Sequence, residues 1–136
     1  MNYKNIVNKI PEFCLTHWLL RIPLIVVFVQ QGMNKWPINL EDSPVELTLL
    51  VWTFVVLGEL GAALGLLVGG IADYTKRTKE LGDIITRFSG ITIASIMTGV
   101  IWTGEPESFT DVILYDNLHV LLWVGGMYFA LRGNRT

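Results

Sequence analysis

Apolar residues gather into four stretches, at about positions 14–34, 45–70, 84–103 and 112–132, with charged residues concentrated in the short runs between them. Each stretch is near the ~20 residues that a helix needs to cross the hydrocarbon core of a bilayer. "IPLIVVFV", "LTLLVWTFVVL" and "ITIASIMTGVIW" are apolar all round. A soluble bundle would show a charged face returning roughly every 3.6 residues, and these stretches show none. The pattern predicts an all-α fold, an integral membrane four-helix bundle forming a single domain over residues 1–136.

Composition agrees with that pattern. Of 136 residues, 51% are hydrophobic and 16% charged, with a mean hydropathy of +0.48, well beyond an ordinary soluble domain. The leading "MNYKNIVNKIPEF" is polar and mixed, and no small-residue cleavage site follows the first apolar run. The first span is therefore expected to be retained rather than removed as a signal peptide. Pro11 followed by Glu12 suits a helix start, where the missing N–H costs nothing and a carboxylate meets the positive helix end.

Charge then sets orientation. With four spans both termini share one side, which holds Lys4, Lys9, Lys76, Arg77, Lys79, Arg87, Arg132 and Arg135, while the other side holds Lys35. The positive-inside rule places both termini in the cytoplasm, and the asymmetry suits a bacterial inner membrane. The outer side carries Glu41, Asp42, Glu46, Glu105, Glu107, Asp111 and Asp116, which argues against nucleic acid as a partner. Cys14 is the single cysteine, so a two-cysteine redox relay within the chain is excluded, and a lone apolar-flanked thiol is expected to pack.

Helical spacing sorts the polar residues into faces. In the first span His17, Arg21, Phe28, Gly32 and Lys35 share one stripe, and Pro23 frees the carbonyl of Leu19. In the second, Gly61, Gly65 and Gly69 repeat every four residues, a spacing that lets another helix approach closely. Glu59 lies on the other side with Trp52, Ala63, Leu66 and Gly70. The third span offers Ser95 and Gly99 as a second small pair, with Arg87 placed to reach the headgroups. The fourth aligns Asp116, His119, Trp123, Gly126 and Ala130. Trp36, Trp102, Tyr115 and Tyr128 sit near span ends, as interfacial aromatic belts do.

Arg21 stands inside "LLRIPLIVVFVQQGMNKWP" and needs a partner, because an unpaired charge at that depth costs several kcal/mol on insertion scales, about 3 at the centre. Counting from the cytoplasmic ends of the stretches puts Arg21 at about 10 Å and Glu59 at about 16 Å, a gap an arginine side chain spans. An Arg21–Glu59 ion pair is the expectation. It serves either as a structural clasp or as the polar floor of a ligand or quinone site. A second polar group, Gln30, Gln31, Asn34, Lys35, Asp116 and His119, gathers at the outer ends of the first and last spans. Of these, Gln31, Lys35, Asp116 and His119 are the candidate lining of an outward-facing ligand pocket, where an imidazole beside a carboxylate exchanges protons or holds a quinone carbonyl. His17 and His119 lie at opposite ends and cannot share one haem iron. No metal-ligand cluster, nucleotide loop or nucleophile arrangement is legible.

Arg21, Phe28, Gly32 and Lys35 in the first span, "GELGAALGLLVGG" in the second and "NLHVLLWVGGMYFAL" in the last resemble the DoxX-like family of small four-helix membrane proteins. The resemblance matches that family's first-span arginine to Arg21, its glycine–lysine end to Gly32 and Lys35, and its second-span acid to Glu59; the third span agrees less. It implies a small membrane subunit, or a quinone-interacting partner, of an oxidoreductase, as in the thiosulfate:quinone oxidoreductase for which the family is named. Two other classes fit the composition: a membrane scaffold whose glycine stripe packs on another subunit or its own copy, and a small-solute or proton carrier acting as an oligomer. No side chain here moves electrons without a bound cofactor.

Overall fold

The computed structural model describes residues 3–9, 15–37 and 48–135. The described residues form helices and turns with no strand: α1 Tyr3–Val7, α2 His17–Asn34, α3 Leu49–Ala72, α4 Lys79–Thr103, α5 Phe109–Tyr115 and α6 Asn117–Arg132. Cys14, Pro11, Glu12, Glu41, Asp42 and Glu46, to which roles were given above, lie outside the described residues.

Two of the helices, α3 and α4, are long and apolar enough to cross a membrane. The last apolar stretch is not one straight helix. It breaks into α5 and α6, which meet at a 98° bend and together are apolar enough for one span. The break falls at Asp116, whose backbone leaves the helical region (φ −116°, ψ 37°) as it caps the start of α6. Aspartate is favoured at such a non-helical N-cap position. The polar Tyr115, Asp116 and Asn117 interrupt the apolar run only briefly and without a proline or glycine, which is why the sequence predicts a single span.

α4 is the central helix, packed against α3 on one side and α6 on the other, while α2 packs mainly on α3. Close approach is made possible by small residues. At the α4–α6 crossing Gly90 faces Gly126, and a Cβ on Gly90 would run into the backbone of Gly126, Phe129 and Ala130. At the α3–α4 crossing Gly65 meets Ile85 and Ser89, and Gly69 meets Gly82 and Thr86. Gly61 has open space beside it, so the expected three-glycine packing stripe is corrected to Gly65 and Gly69. Its third member falls where α3 turns its surface outward. Gly99, expected to pack with Ser95, likewise has nothing against it.

Side chains from α2, α3, α4 and α6 fill the middle of the bundle. Phe28, Ala63, Leu66, Ile93 and Phe129 are fully buried, with Leu24, Met97 and Leu122 beside them. On α2 the buried residues are His17, Arg21, Phe28 and Gly32, which belong to the stripe that helical spacing picks out, and Leu24, which was not placed in it. Large apolar side chains elsewhere, among them Leu19, Phe54, Leu64, Phe88 and Leu131, are exposed.

Backbone contact at the α4–α6 crossing leaves no flexible group to yield. Gly90→Val is expected to destabilise the protein by about 1–3 kcal/mol through overpacking. Gly61→Ala, at an open helical position, is expected to be neutral or to stabilise by up to about 1 kcal/mol. Unfolding in mixed micelles, followed by circular dichroism, measures both. Equal losses for the two variants would show that the crossing is not where the helices are tightest.

Candidate functional site

The buried arginine does not pair with the buried glutamate. Arg21, fully buried, donates from Nη1 to the carbonyl of Leu66 (2.6 Å) and to Thr86 Oγ1 (3.2 Å). Its Nη2 donates to Asn134 Oδ1 (2.6 Å) and its Nε to His17 Nδ1 (3.3 Å). The guanidinium also lies over the rings of Phe129, at 4.7 Å, and Trp18, at 5.3 Å. Gly70 leaves room for it, because a Cβ there would stand 2.9 Å from Trp18 and 3.0 Å from Arg21.

Asn134 completes this layer. Gly133 adopts a positive φ of 61°, a conformation glycine takes without a side-chain penalty. The chain thereby turns after α6, and the Asn134 side chain enters the bundle. Its Nδ2 donates to the Gly69 carbonyl, its Oδ1 also accepts from Thr86, and its backbone N–H donates to Asp83. Arg87, expected to reach for headgroups, instead pairs with Asp83 at 2.8 Å and donates to the carbonyls of Ala130, Leu131 and Arg132. It thus satisfies the orphan acceptors that end α6.

Glu59, 2% exposed, binds Lys35. The ammonium stands 2.9 Å from both carboxylate oxygens and bonds the backbone and side-chain oxygens of Gln31 at 3.3 Å. Lys35 is only 18% exposed and lies over the Trp52 ring at 5.8 Å. Register explains the exchange of partners. Gly32 packs against Leu60, and α2 runs antiparallel to α3, so Lys35 comes level with the turn of α3 that carries Glu59. Arg21, eleven residues the other way, comes level with Gly70. The depth estimate failed because α2 begins at His17 and α3 ends at Ala72. These ends bring Arg21 nearer the surface and put Glu59 deeper, widening their separation by about 7 Å.

Beside the Lys35–Glu59 pair lies a cavity of about 730 Å³, partly open to the surface. Gln31, Asn34, Lys35, Glu59 and His119 supply its polar wall; Phe54, Ile96, Met97 and Leu122 are among its apolar lining. Three of the four residues expected in an outward-facing pocket, Gln31, Lys35 and His119, thus meet here. Asp116 does not line this cavity. It lines a neighbouring one of about 640 Å³ with Glu107, Asp111 and Tyr115. His119 borders both cavities, and its Nδ1 is hydrogen-bonded to Asp116 Oδ1.

Trp52, placed on the Glu59 side by helical spacing, is 4% exposed and lines the larger cavity, and its Nε1 has no hydrogen-bond partner. Two contributors, Asn134 and Gly90, were not picked out from the sequence. Asn134 carried no signal, since a polar residue past an apparent helix end looks like a solvated tail. Gly90 did leave one: Gly82, Thr86, Gly90 and Ala94 repeat small residues every four positions. Among the described residues no group of three or more His, Cys, Asp or Glu side chains is placed to hold a metal ion. At the start of α2 His17 Nδ1 is already engaged by Arg21. The chain matches no known protein-family model, no curated protein and no solved structure.

A buried charge stripped of its partner costs about 3–5 kcal/mol. Lys35→Met and Glu59→Gln should each destabilise, and the double variant should lose far less than the sum of the two. Arg21→Gln combined with Glu59→Gln should add to within about 0.5 kcal/mol, as sites without shared partners do. A double-mutant cycle of unfolding free energies decides it; coupling between Arg21 and Glu59 instead would contradict this assignment.

Proposed function

We propose that the chain is a four-span inner-membrane protein of DoxX-like type, a small membrane subunit or partner of an oxidoreductase, that holds a quinone beside the Lys35–Glu59 pair. In this reading α2, α3, α4 and α6 each cross the bilayer. The apolar centre of α2, Ile22 to Val29, lies between polar ends. α6, at 16 residues, spans about 24 Å, so α5 lies along the outer interface with its exposed Phe109 and Tyr115. Both termini then face the cytoplasm with the lysine- and arginine-rich segments.

The observation that carries the reading is the cavity. At about 730 Å³ it falls in the range of small-molecule sites, about 300–1,000 Å³, which combine apolar walls with a few placed polar groups. A quinone needs that combination: a flat apolar ring and tail, with carbonyl oxygens that accept hydrogen bonds. Lys35, Gln31 and His119 supply donors on one wall, while Phe54, Ile96, Met97 and Leu122 offer apolar surface. The protein's part is to bind and orient; electron transfer comes from the quinone and a redox partner.

Mass spectrometry of lipid extracts from the gently purified protein tests this. Wild type should retain quinone. Glu59→Gln and Lys35→Gln, provided they remain folded, should retain about tenfold less, the effect of losing one hydrogen bond to a charged group. A wild-type protein that emerges without quinone would defeat the proposal and favour a scaffold role.

A further inference from the structure

His119 is the wall between two spaces of opposite character. On one side is the cavity that holds Lys35 and Glu59; on the other is a cleft at the α5 end of the molecule, lined by Glu107, Asp111 and Asp116. The imidazole is about one-third exposed, and its Nδ1 is held by Asp116, the residue at which the α5–α6 helix breaks. We propose that the Asp116–His119 pair is a proton path that connects buried Glu59 to water at the α5 end. This goes beyond the quinone reading, since it holds for any occupant of the cavity and for none.

The geometry supplies each part of such a path. Asp116 lines the outer cleft and takes a proton from water there. It passes that proton to Nδ1 of His119, to which it is bonded. The ring gives up the proton on its other nitrogen to the cavity, and returns to its starting form when the ring protons re-equilibrate; one proton enters and one leaves. Imidazole is suited to this because its two nitrogens exchange protons near neutral pH. The cavity, about 730 Å³, has room for about two dozen waters at ~30 Å³ each, enough to bridge His119 and Glu59. Lining this cavity with His119 are Lys35 and Gln31 from α2 and Glu59 from α3, and lining the outer cleft with it are Glu107, Asp111 and Tyr115.

Among the described residues no comparable route leads to the other end. Between Glu59 and the Arg21–Asn134 layer stand Phe28, Ala63, Leu66, Ile93 and Phe129, all fully buried and apolar. A proton arriving from the α1 end would have to cross that plug, where no side chain can accept it. The two polar layers are thus insulated from each other, and only the one holding Glu59 reaches the α5 end.

Infrared spectroscopy of protein reconstituted in one orientation into phosphatidylcholine vesicles tests the path without added ligand. The protonated-carboxyl band of Glu59 is identified by its loss in Glu59→Gln. In wild type this band should rise when the pH is lowered on the α5 side, and stay unchanged when it is lowered on the other side. In His119→Gln its rise should be slowed at least tenfold, with Asp116→Asn as a second variant should the first fail to fold. A band that follows the opposite side, that never rises, or that rises as fast in both variants as in wild type would overturn the proposal. The quinone content measured above is independent of all three results.

Discussion

A guanidinium sealed among apolar helices must find acceptors for its N–H groups, because burying a charge without partners costs several kcal/mol after relaxation, about 3–5 where one partner is removed. Arg21 meets that demand with four acceptors drawn from four parts of the chain: His17 on its own helix, the Leu66 carbonyl on α3, Thr86 on α4 and Asn134 beyond α6. Those bonds fix how far each helix slides along its neighbours. Gly69 is small because Gly82 and Thr86 of α4 stand against it, Gly70 because Trp18 and Arg21 do, and the positive φ of Gly133 turns the chain so that Asn134 reaches the Gly69 carbonyl. Change the register of α2 by one turn and the whole layer loses its partners together.

With α2 held at one end, its other end is fixed too. Gly32 lies against Leu60, and the helix terminates at Asn34, so Lys35 arrives beside Glu59. The lysine follows directly from the helix end, where the partial negative charge of the last carbonyls favours a cation, and its Nζ returns to the carbonyl of Gln31. Two polar layers result, one at each end of an apolar plug, and the single stripe of α2 contributes to both.

What the sequence disclosed follows from the range of each physical signal. The stripe of His17, Arg21, Phe28, Gly32 and Lys35 was legible because it depends on helical spacing alone; Leu24, also buried, was not picked out. The Arg21–Glu59 pairing was wrong because it depended on where two helices end, and errors of two or three residues at each end add up when helices run antiparallel. Gly65 and Gly69 behaved as a close-packing pair, yet Gly61 did not, since a four-residue repeat drifts about 40° per step around the helix and carries Gly61 off the face where Gly58 meets Thr92 and Ile96 of α4. The helix break at Asp116 did leave a mark, the polar Tyr115, Asp116 and Asn117 between apolar neighbours, but without a proline or glycine it reads equally as the polar outer part of one span. Asn134 could not be foreseen, because its role depends on three other segments arriving first. The DoxX-like resemblance rests on such loosely spaced residues, and it identifies Arg21 and Glu59 as notable without saying what each one touches.

The two ionic layers differ in what they leave open. Around Arg21 the partners are neutral oxygens and a ring nitrogen, and the bonds run inward to backbone and side chains that hold the bundle together. Lys35 and Glu59 neutralise each other and stand against a cavity instead of a filled core. A buried ion pair is weak evidence for stability, since well-packed apolar residues of the same volume do as well or better. A cavity beside it adds a further cost, because unfilled space forfeits packing contacts. Arg21 is accounted for by the architecture it organises. The Lys35–Glu59 pair, with Trp52 and His119 around an unfilled space, is not, and that contrast is why the proposed function rests on this layer and not on the one around Arg21.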